Sequence, residues 1–154
     1  MQIPIASIQP HPLNESIYGE ITEEDVADLI QSIEDVGLLE PIVINSRNQC
    51  ISGHRRLHAC LFSGMESIEC TVKEFSEDDA VLFIIEWNRQ RRKTYRQLLN
   101  EAKSLMTYYG KKRKRGRPAL QPNRTDELKH RKTTDVVAEK LDANRNTIYR
   151  LLFI

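Results

Sequence analysis

The chain has 154 residues, enough for one ordinary domain or for one domain with a small appendage, and its hydrophobic content of 40% supplies a core. No stretch approaches the roughly 18 consecutive apolar residues of a membrane span. The first residues also lack the charged and apolar regions of a signal peptide, so the sequence predicts a cytoplasmic protein. The net charge of +1 hides a division, because residues 1–90 carry 5 Lys or Arg against 16 Asp or Glu, whereas residues 91–154 carry 18 against 6. A C-terminal half this basic predicts a polyanionic partner, of which DNA is the obvious example.

The predicted elements of the acidic half are short strands alternating with helices. A strand over residues 3–8 is followed by a turn at residues 10–12. Thr22 then has the residue type of an N-cap, and Gly37 that of a C-cap, for a helix with apolar residues on one face. The further predicted elements are strands over residues 41–44, 49–52 and 67–72, a helix from His54 to about Phe62, and a helix that starts at Glu77.

A candidate binding site lies where an apolar run ends in Gly53 and a predicted helix begins. Glycine permits a sharp turn there, and the N–H groups and dipole of the helix start favour an anion. Arg55 and Arg56 follow at once, and the fork of a guanidinium suits a phosphate. The pattern predicts a phosphate cradle, which we define as residues 53–56. The alternative is an ordinary strand-to-helix turn with solvated arginines.

The spacing of cysteines and histidines predicts neither a zinc site nor a disulfide framework. Cys50, Cys60 and Cys70 include no CxxC pair and are odd in number, so buried free thiols are expected. His54 and His58 are spaced i, i+4 on one predicted helix and could share a metal ion, but the sequence places no third ligand beside them. A packed or solvated histidine pair is the preferred interpretation.

The basic half is predicted to be helical with an interruption. A bridging helix over residues 93–110 ends at Gly110, and residues 111–132 form a basic flexible linker. The apolar pattern of residues 133–154 predicts two short helices joined across residues 142–144. This arrangement resembles a helix-turn-helix, although Asp142 stands where the turn usually has a glycine. A helical hairpin that docks on another protein is the alternative, and the helix-turn-helix is expected to be truncated, because the chain is still apolar at its last residue.

The residues predicted to contact DNA lie in this linker and on the exposed side of the second helix. Residues 115–118, Arg-Gly-Arg-Pro, resemble an AT-hook core that could lie in the minor groove of A·T-rich DNA. A plain polybasic tether with non-specific, salt-dependent phosphate contacts is the preferred alternative. The predicted DNA-binding residues are Lys111, Lys112, Arg113, Lys114, Arg115, Arg117, Arg145, Asn146, Thr147, Tyr149 and Arg150.

Three motifs in this order resemble the N-terminal domain of the ParB family of partition proteins. Residues 37–42 resemble its Gly-x-x-x-Pro motif, residues 53–56 its Gly-Glu-Arg-Arg box, and residues 88–91 the end of its Glu-Asn-x-x-Arg motif. The resemblance implies an α/β fold of the ParB/sulfiredoxin type, with a small mixed sheet, over residues 1–92, followed by helices. It further implies a homodimer that binds DNA in plasmid partition or transcriptional control and associates with nucleoid or plasmid.

The resemblance also implies that CTP and a magnesium ion bind at the cradle and switch DNA binding by repositioning the helix that starts at Thr94. Two departures from the family pattern argue against CTP hydrolysis. His54 replaces the glutamate of the box, and Trp87 stands where the family has a metal-side glutamate. The residues implied for the nucleotide are Gly37, Pro41, Gly53, His54, Arg55, Arg56, Asn88 and Arg91, and those implied for the metal are Asn88 and Glu86.

Other activities are alternatives to this hypothesis. Sulfiredoxins place a cysteine just before a His-Arg pair, where this chain has Gly53, so the attacking thiolate is missing. A metal-dependent nuclease needs carboxylates near the scissile phosphate, but the acidic residues here concentrate at helix starts. A nuclease remains the first alternative, and the sequence predicts no catalytic residue for it. The second is a non-enzymatic adaptor for protein interactions, for which the basic segment is only a tether.

Overall fold

The computed structural model describes residues 1–114 and 132–153. These residues form two compact units, Met1–Asn88 and Arg89–Ile154, whereas the sequence predicts a boundary at residue 92. None of the described helices is long and apolar enough to cross a membrane.

The first unit is built on a five-stranded mixed sheet. Its strands are β1 (Gln2–Pro4), β2 (Gln9–Pro10), β3 (Ile42–Ile44), β4 (Gln49–Ser52) and β5 (Ser67–Val72), in the spatial order β1-β5-β3-β4-β2. The pairs β1–β5 and β3–β4 are antiparallel, and the pairs β3–β5 and β2–β4 are parallel. The predicted α/β class with a mixed sheet is confirmed.

Helices cover both faces of this sheet. They are α1 (Pro12–Tyr18), α2 (Ala27–Val36), α3 (His54–Phe62) and α4 (Ala80–Trp87), and a single 3-10 turn precedes α2 and α4. In β4, the buried Cys50 belongs to the same core cluster as Leu57 and Cys60 of α3. The next residue, Ile51, is fully buried and points to the opposite face, because side chains alternate along a strand, and α4 contacts β4. All three cysteines are buried free thiols, as predicted.

Two predictions near the N-terminus are wrong. Residues 3–8 are not one strand, because a 3-10 turn, Ile5–Ser7, separates β1 from β2. The Ser7 hydroxyl donates to the Pro4 carbonyl at 2.7 Å, and this local hydrogen bond competes with continued strand pairing. Helix α1 was not predicted at all, since two prolines suggested only a turn. Pro12 occupies the first helical position, where its missing N–H costs nothing.

The second unit consists of three helices that contact one another. They are α5 (Tyr95–Lys114), α6 (Thr133–Lys140) and α7 (Arg145–Phe153). Their buried residues include Ala102 and Leu105 of α5, Val137 of α6, and Ile148 and Leu151 of α7. The two short C-terminal helices therefore lie where the apolar pattern predicts them.

Helix α5 corrects the predicted bridging helix. It continues through Gly110 to Lys114, so Gly110 does not end it and residues 111–114 are not linker. A glycine inside a helix costs only about 1 kcal/mol, less than packing against two other helices supplies. The remainder of the predicted linker up to residue 131, with the AT-hook match and the predicted DNA contacts Arg115 and Arg117, lies outside the described residues.

A buried ion pair fixes the start of α5. The Lys93 ammonium lies 2.9 Å from the carboxylate of Glu101, whose side chain is fully buried. Thr94 caps the helix next to this pair, and its hydroxyl accepts from the backbone N–H of Gln97 at 3.3 Å.

Candidate functional site

Gly53 makes the turn from β4 into α3. Both its backbone conformation and the lack of room for a side chain favour glycine there. Its φ and ψ are 93° and 26°, in the left-handed region. A Cβ at this position would lie 2.9 Å from Cγ2 of Ile42 and 3.3 Å from Nε and Nη2 of Arg56. The backbone at Gly53 is therefore bare beneath the Arg56 guanidinium, at the N-terminus of a nine-residue helix. This arrangement suits an anion that approaches the chain closely.

Arg56 joins the cradle to the loop after α2. Its Nη1 donates to both the carbonyl oxygen and Oε2 of Glu40, each at 2.9 Å, and lies 3.4 Å from the Pro41 carbonyl oxygen. The other edge of the guanidinium, Nε and Nη2, lies over Gly53. The structure thus brings Gly53, Arg56 and Pro41 together.

Arg55 is exposed and has a different partner. Its Nη2 donates to the backbone carbonyl of Asp25, in the 3-10 turn before α2. Gly37, at the C-terminus of α2, has a φ of 77°, and its N–H donates to the Ile33 carbonyl at 2.8 Å. Arg55 therefore joins the cradle to the turn that precedes α2, and α2 packs on α3.

His54 points into the protein. It is 5% exposed, and its Nε2 accepts a hydrogen bond from the backbone N–H of His11 at 3.3 Å. Its other ring nitrogen is left to carry the proton and bonds to the backbone of Cys50. Burial first, and then the neighbours His11 and His58, lower the pKa of His54 to about 3. His54 is therefore neutral at physiological pH and joins β4 to the start of α1.

The sequence analysis did not predict the roles of His11 and Glu40, which bond to the cradle residues His54 and Arg56. His11 is the N-cap of α1, and its Nδ1 accepts from the Leu13 N–H at 3.2 Å. Its Nε2 is buried 3.9 Å from Oε1 of Glu77. Nothing in the sequence marks these contacts, although a proline such as Pro12 is common at the first position of a helix and could have indicated α1.

The cradle offers no thiol nucleophile. Burial raises the pKa of the Cys50 thiol to about 12, and the nearby Arg56 only partly opposes this effect. Cys50 is therefore protonated and contributes packing.

The predicted metal-side residues lie at the end of α4 and beyond. Asn88 caps α4, and its Nδ2 donates to the Ile84 carbonyl at 2.8 Å. Glu86 is exposed one residue before Trp87. Among the described residues, no three His, Cys, Asp or Glu side chains form a group that could hold a metal ion. Arg91 belongs to the second unit.

The second unit presents the predicted DNA-binding side chains of α7 to solvent. Arg145, Asn146, Thr147, Tyr149 and Arg150 are all exposed, and so are Lys111 and Lys112 of α5. The turn before α7 includes Asp142 with a φ of 50°, the left-handed conformation for which the glycine of a helix-turn-helix is suited. Asn144 caps α7, because its Oδ1 accepts from the Asn146 N–H at 2.8 Å. Arg113 and Lys114 are on the last turn of α5.

Comparison with known proteins agrees with the fold and defines its class. Residues 1–88 match the family model of the ParB N-terminal domain. The chain therefore belongs to the ParB N-terminal domain family. It is 29% identical over 94 residues to the chromosome-partitioning protein Spo0J of Thermus thermophilus, covering 59% of this chain and 34% of the relative. It is 30% identical over 93 residues to a nucleoid occlusion protein of Halalkalibacterium halodurans, covering 58% and 32%. The chain thus spans about a third of the length of these curated relatives.

Solved structures share the fold at low sequence identity. The C-terminally truncated chromosome-partitioning protein ParB from Caulobacter crescentus, complexed to the centromeric parS site, aligns with a TM-score of 0.58 at 20% identity, over 99% of this chain and 70% of that one. The same protein complexed with CTP-gamma-S gives 0.52 at 21% identity, over 99% and 76%. A pNOB8-like ParB N-domain gives 0.69 at 13% identity, over 99% and 64%.

Proposed function

We propose that this chain is a DNA-binding protein of the partition or transcriptional-control type, and that a nucleotide, CTP, binds at its cradle and switches it. The observation that carries the proposal is the bare, left-handed backbone at Gly53, beneath an arginine and at a helix N-terminus. The family membership of residues 1–88 supports it, and so do a relative named for chromosome partitioning and a neighbour solved with CTP-gamma-S.

In this proposal the cradle binds a triphosphate through several kinds of donor. Backbone N–H groups at the start of α3 and the guanidinium groups of Arg55 and Arg56 face the phosphates. Gly37 and Pro41 shape the wall beside the nucleotide, and Arg91 is the remaining nucleotide residue that the family resemblance implies. His54, being buried and neutral, acts as a positioning residue that holds the turn, and it takes no part in hydrolysis.

We propose a magnesium ion as a companion of the nucleotide. Mg²⁺ is commonly held by one or two carboxylates together with substrate phosphates, so it does not need a cage made of protein side chains. Asn88 and Glu86 are the proposed protein ligands, and the ion would neutralise phosphate charge. Because Trp87 lacks a carboxylate, we expect nucleotide binding without appreciable hydrolysis.

The DNA-binding half of the proposal rests on the second unit. Its α6–α7 pair has an exposed polar and basic second helix, as in a helix-turn-helix. Binding at the cradle would reposition α5, whose start is fixed by the Lys93–Glu101 pair, and so change how α7 meets DNA. The functional form is proposed to be a homodimer.

Calorimetric titration with CTP, ATP and GTP, each with magnesium, tests the nucleotide site. We expect selective binding of CTP and at least about tenfold weaker binding by Arg56→Ala, the size of effect that follows from losing charged hydrogen bonds. Arg47→Ala is the matched control, because it removes one exposed arginine that is not a proposed nucleotide residue. No binding of any nucleotide, or equal losses in both variants, would contradict the proposal.

The alternatives predict different results. A nuclease would cleave DNA in the presence of divalent ions, and no group of carboxylates among the described residues favours it. An adaptor would bind DNA only weakly, with no sequence preference and complete loss at moderate salt.

A further inference from the structure

A row of aromatic side chains lies on the surface of the first unit, where α4 meets the segment after β5. The ring centroids of Phe75 and Phe83 are 4.8 Å apart, and those of Phe83 and Trp87 are 5.6 Å apart. The ammonium of Lys73 lies 5.5 Å from the Trp87 ring centroid. Phe83 and Trp87 are 37% and 39% exposed, although α4 is otherwise largely buried. We call Phe75, Phe83 and Trp87 the aromatic row.

The sequence around the aromatic row is strongly acidic, although one of its carboxylates, Glu77, is paired with Arg47. Between residues 72 and 87 the only basic residue is Lys73. The whole of residues 1–88 carries 4 Lys or Arg against 16 Asp or Glu. Aromatic faces are themselves attractive to cations, so ring faces and carboxylates favour the same kind of ligand. The acidic residues of the segment are Glu74, Glu77, Asp78, Asp79 and Glu86.

We propose that the aromatic row is the docking site for an arginine-bearing, partly apolar segment of a partner protein. A guanidinium stacks on an aromatic face while the nearby carboxylates attract its charge. Apolar side chains of the same segment cover the remaining ring surface. The proposal does not rest on the nucleotide site, although Trp87 lies in sequence between Glu86 and Asn88, the proposed metal ligands.

The same observations disfavour other occupants. Phosphates of a nucleic acid would be repelled by the acidic charge. A two-fold contact between two copies would place the same acidic patch opposite itself. Three rings are also few for a folded partner, since a stable interface uses roughly 20–30 residues on each side. A short segment with one or two anchoring side chains matches the row in size and charge.

The test uses Trp87, which is the only tryptophan of the chain. The full chain is titrated with a synthetic amphipathic peptide of Leu and Arg, and binding is followed by Trp87 fluorescence and by calorimetry. A peptide with Glu in place of Arg, and a peptide with the same composition in scrambled order, are the matched probes. We expect saturable binding of the Leu–Arg peptide, at least about tenfold weaker binding of the scrambled one, and none of the Glu peptide.

Two variants locate the binding. Phe83→Ser should weaken the calorimetric affinity at least about tenfold, the effect of losing an anchor. Glu74→Lys should weaken it by roughly twofold to fivefold, and this exposed position keeps the test valid if Phe83→Ser fails to fold. Val36→Ser is the control, because Val36 is 60% exposed on α2, away from α4.

Several results would overturn the proposal. Unchanged affinity in Glu74→Lys and folded Phe83→Ser would show that the peptide binds elsewhere. Equal binding of the Leu–Arg peptide and its scrambled form would show only a charge effect, and equal binding of the Glu peptide would show that charge complementarity plays no part. Saturation of the Trp87 signal by oligothymidylate, without peptide binding, would make the row a nucleic-acid surface. The chain could instead self-associate in sedimentation without binding the peptide. If Phe83→Ser abolished that self-association, the aromatic row would be an interface between copies.

Discussion

The backbone N–H of His11 donates to Nε2 of His54 at 3.3 Å, so a neutral imidazole joins the start of α1 to the start of α3. The acceptor nitrogen exists only while His54 is unprotonated. The first residue of the helix that forms the cradle is thus held by a contact between residues 43 positions apart in sequence.

Because of this contact, the free energy of unfolding should decrease when the pH is lowered. Burial holds the pKa of His54 at about 3 in the folded protein, against 6.5 ordinarily. The unfolded chain therefore binds a proton that the folded chain does not between these values, and the free energy of unfolding drops by roughly 1.4 kcal/mol per pH unit on acidification. The contribution is complete above about pH 6.5. Urea denaturation of the wild type and His54→Gln, whose amide can keep both hydrogen bonds, measures it. Equal pH slopes would show that another group titrates.

Gly53→Ala should destabilise the first unit by about 2–4 kcal/mol. The left-handed backbone costs about 1–2 kcal/mol for alanine, and the new methyl meets Ile42 at 2.9 Å. Gly64→Ala is the control, because Gly64 has a φ of 70° with nothing within 4 Å of an added Cβ. Gly64→Ala should lower the free energy of unfolding only by the cost of the left-handed backbone. Chemical denaturation compares them, and equal losses would mean that the contact with Ile42 is relieved by small shifts.

Gly110→Ala should stabilise the second unit by about 0.5–1 kcal/mol. Gly110 lies inside α5, and an added Cβ would have nothing within 4 Å. Alanine limits the unfolded backbone without strain in the helix. Thermal unfolding followed by circular dichroism measures the gain. A loss of stability would indicate that α5 ends before Gly110 in solution.

DNA binding should depend on α7 through a phosphate contact by Arg150. Arg150→Ala should lower the affinity for duplex DNA and reduce the slope of log affinity against log salt by about 1. Lys103→Ala removes the same charge from an exposed position on α5 that is not a predicted contact. Fluorescence anisotropy over a salt series compares the two. Equal changes in slope would show that only net charge matters.

Patterns local in sequence predicted much of the fold. The bounds of α3 and β5 agree with those expected from apolar spacing and flanking glycines, and Asp142 adopts the positive φ expected of the glycine it replaces. Local patterns failed where a single short-range or long-range contact decides the structure. The Ser7–Pro4 hydrogen bond breaks the first strand, and α5, which packs against two other helices, continues past Gly110.

The sequence predicted which residues form the candidate site, but it did not predict which partners those residues contact. Adjacent arginines after Gly53 indicated a phosphate cradle, yet the sequence could not show that Arg56 reaches Glu40 whereas Arg55 reaches Asp25. The inward direction of His54 was equally hidden, since its acceptor role depends on His11. The roles of these residues toward a nucleotide stay predictions.

The Lys93–Glu101 pair constrains how this part of the chain can diverge in evolution. Replacing either residue alone breaks this buried ion pair, at a cost of about 3–5 kcal/mol, whereas exchanging both for apolar residues can be neutral. A domain with a total stability of about 5–15 kcal/mol tolerates few such single steps. The two positions should therefore vary together in related sequences. The helix start that they fix should be kept even in relatives whose α5 surface residues are all different.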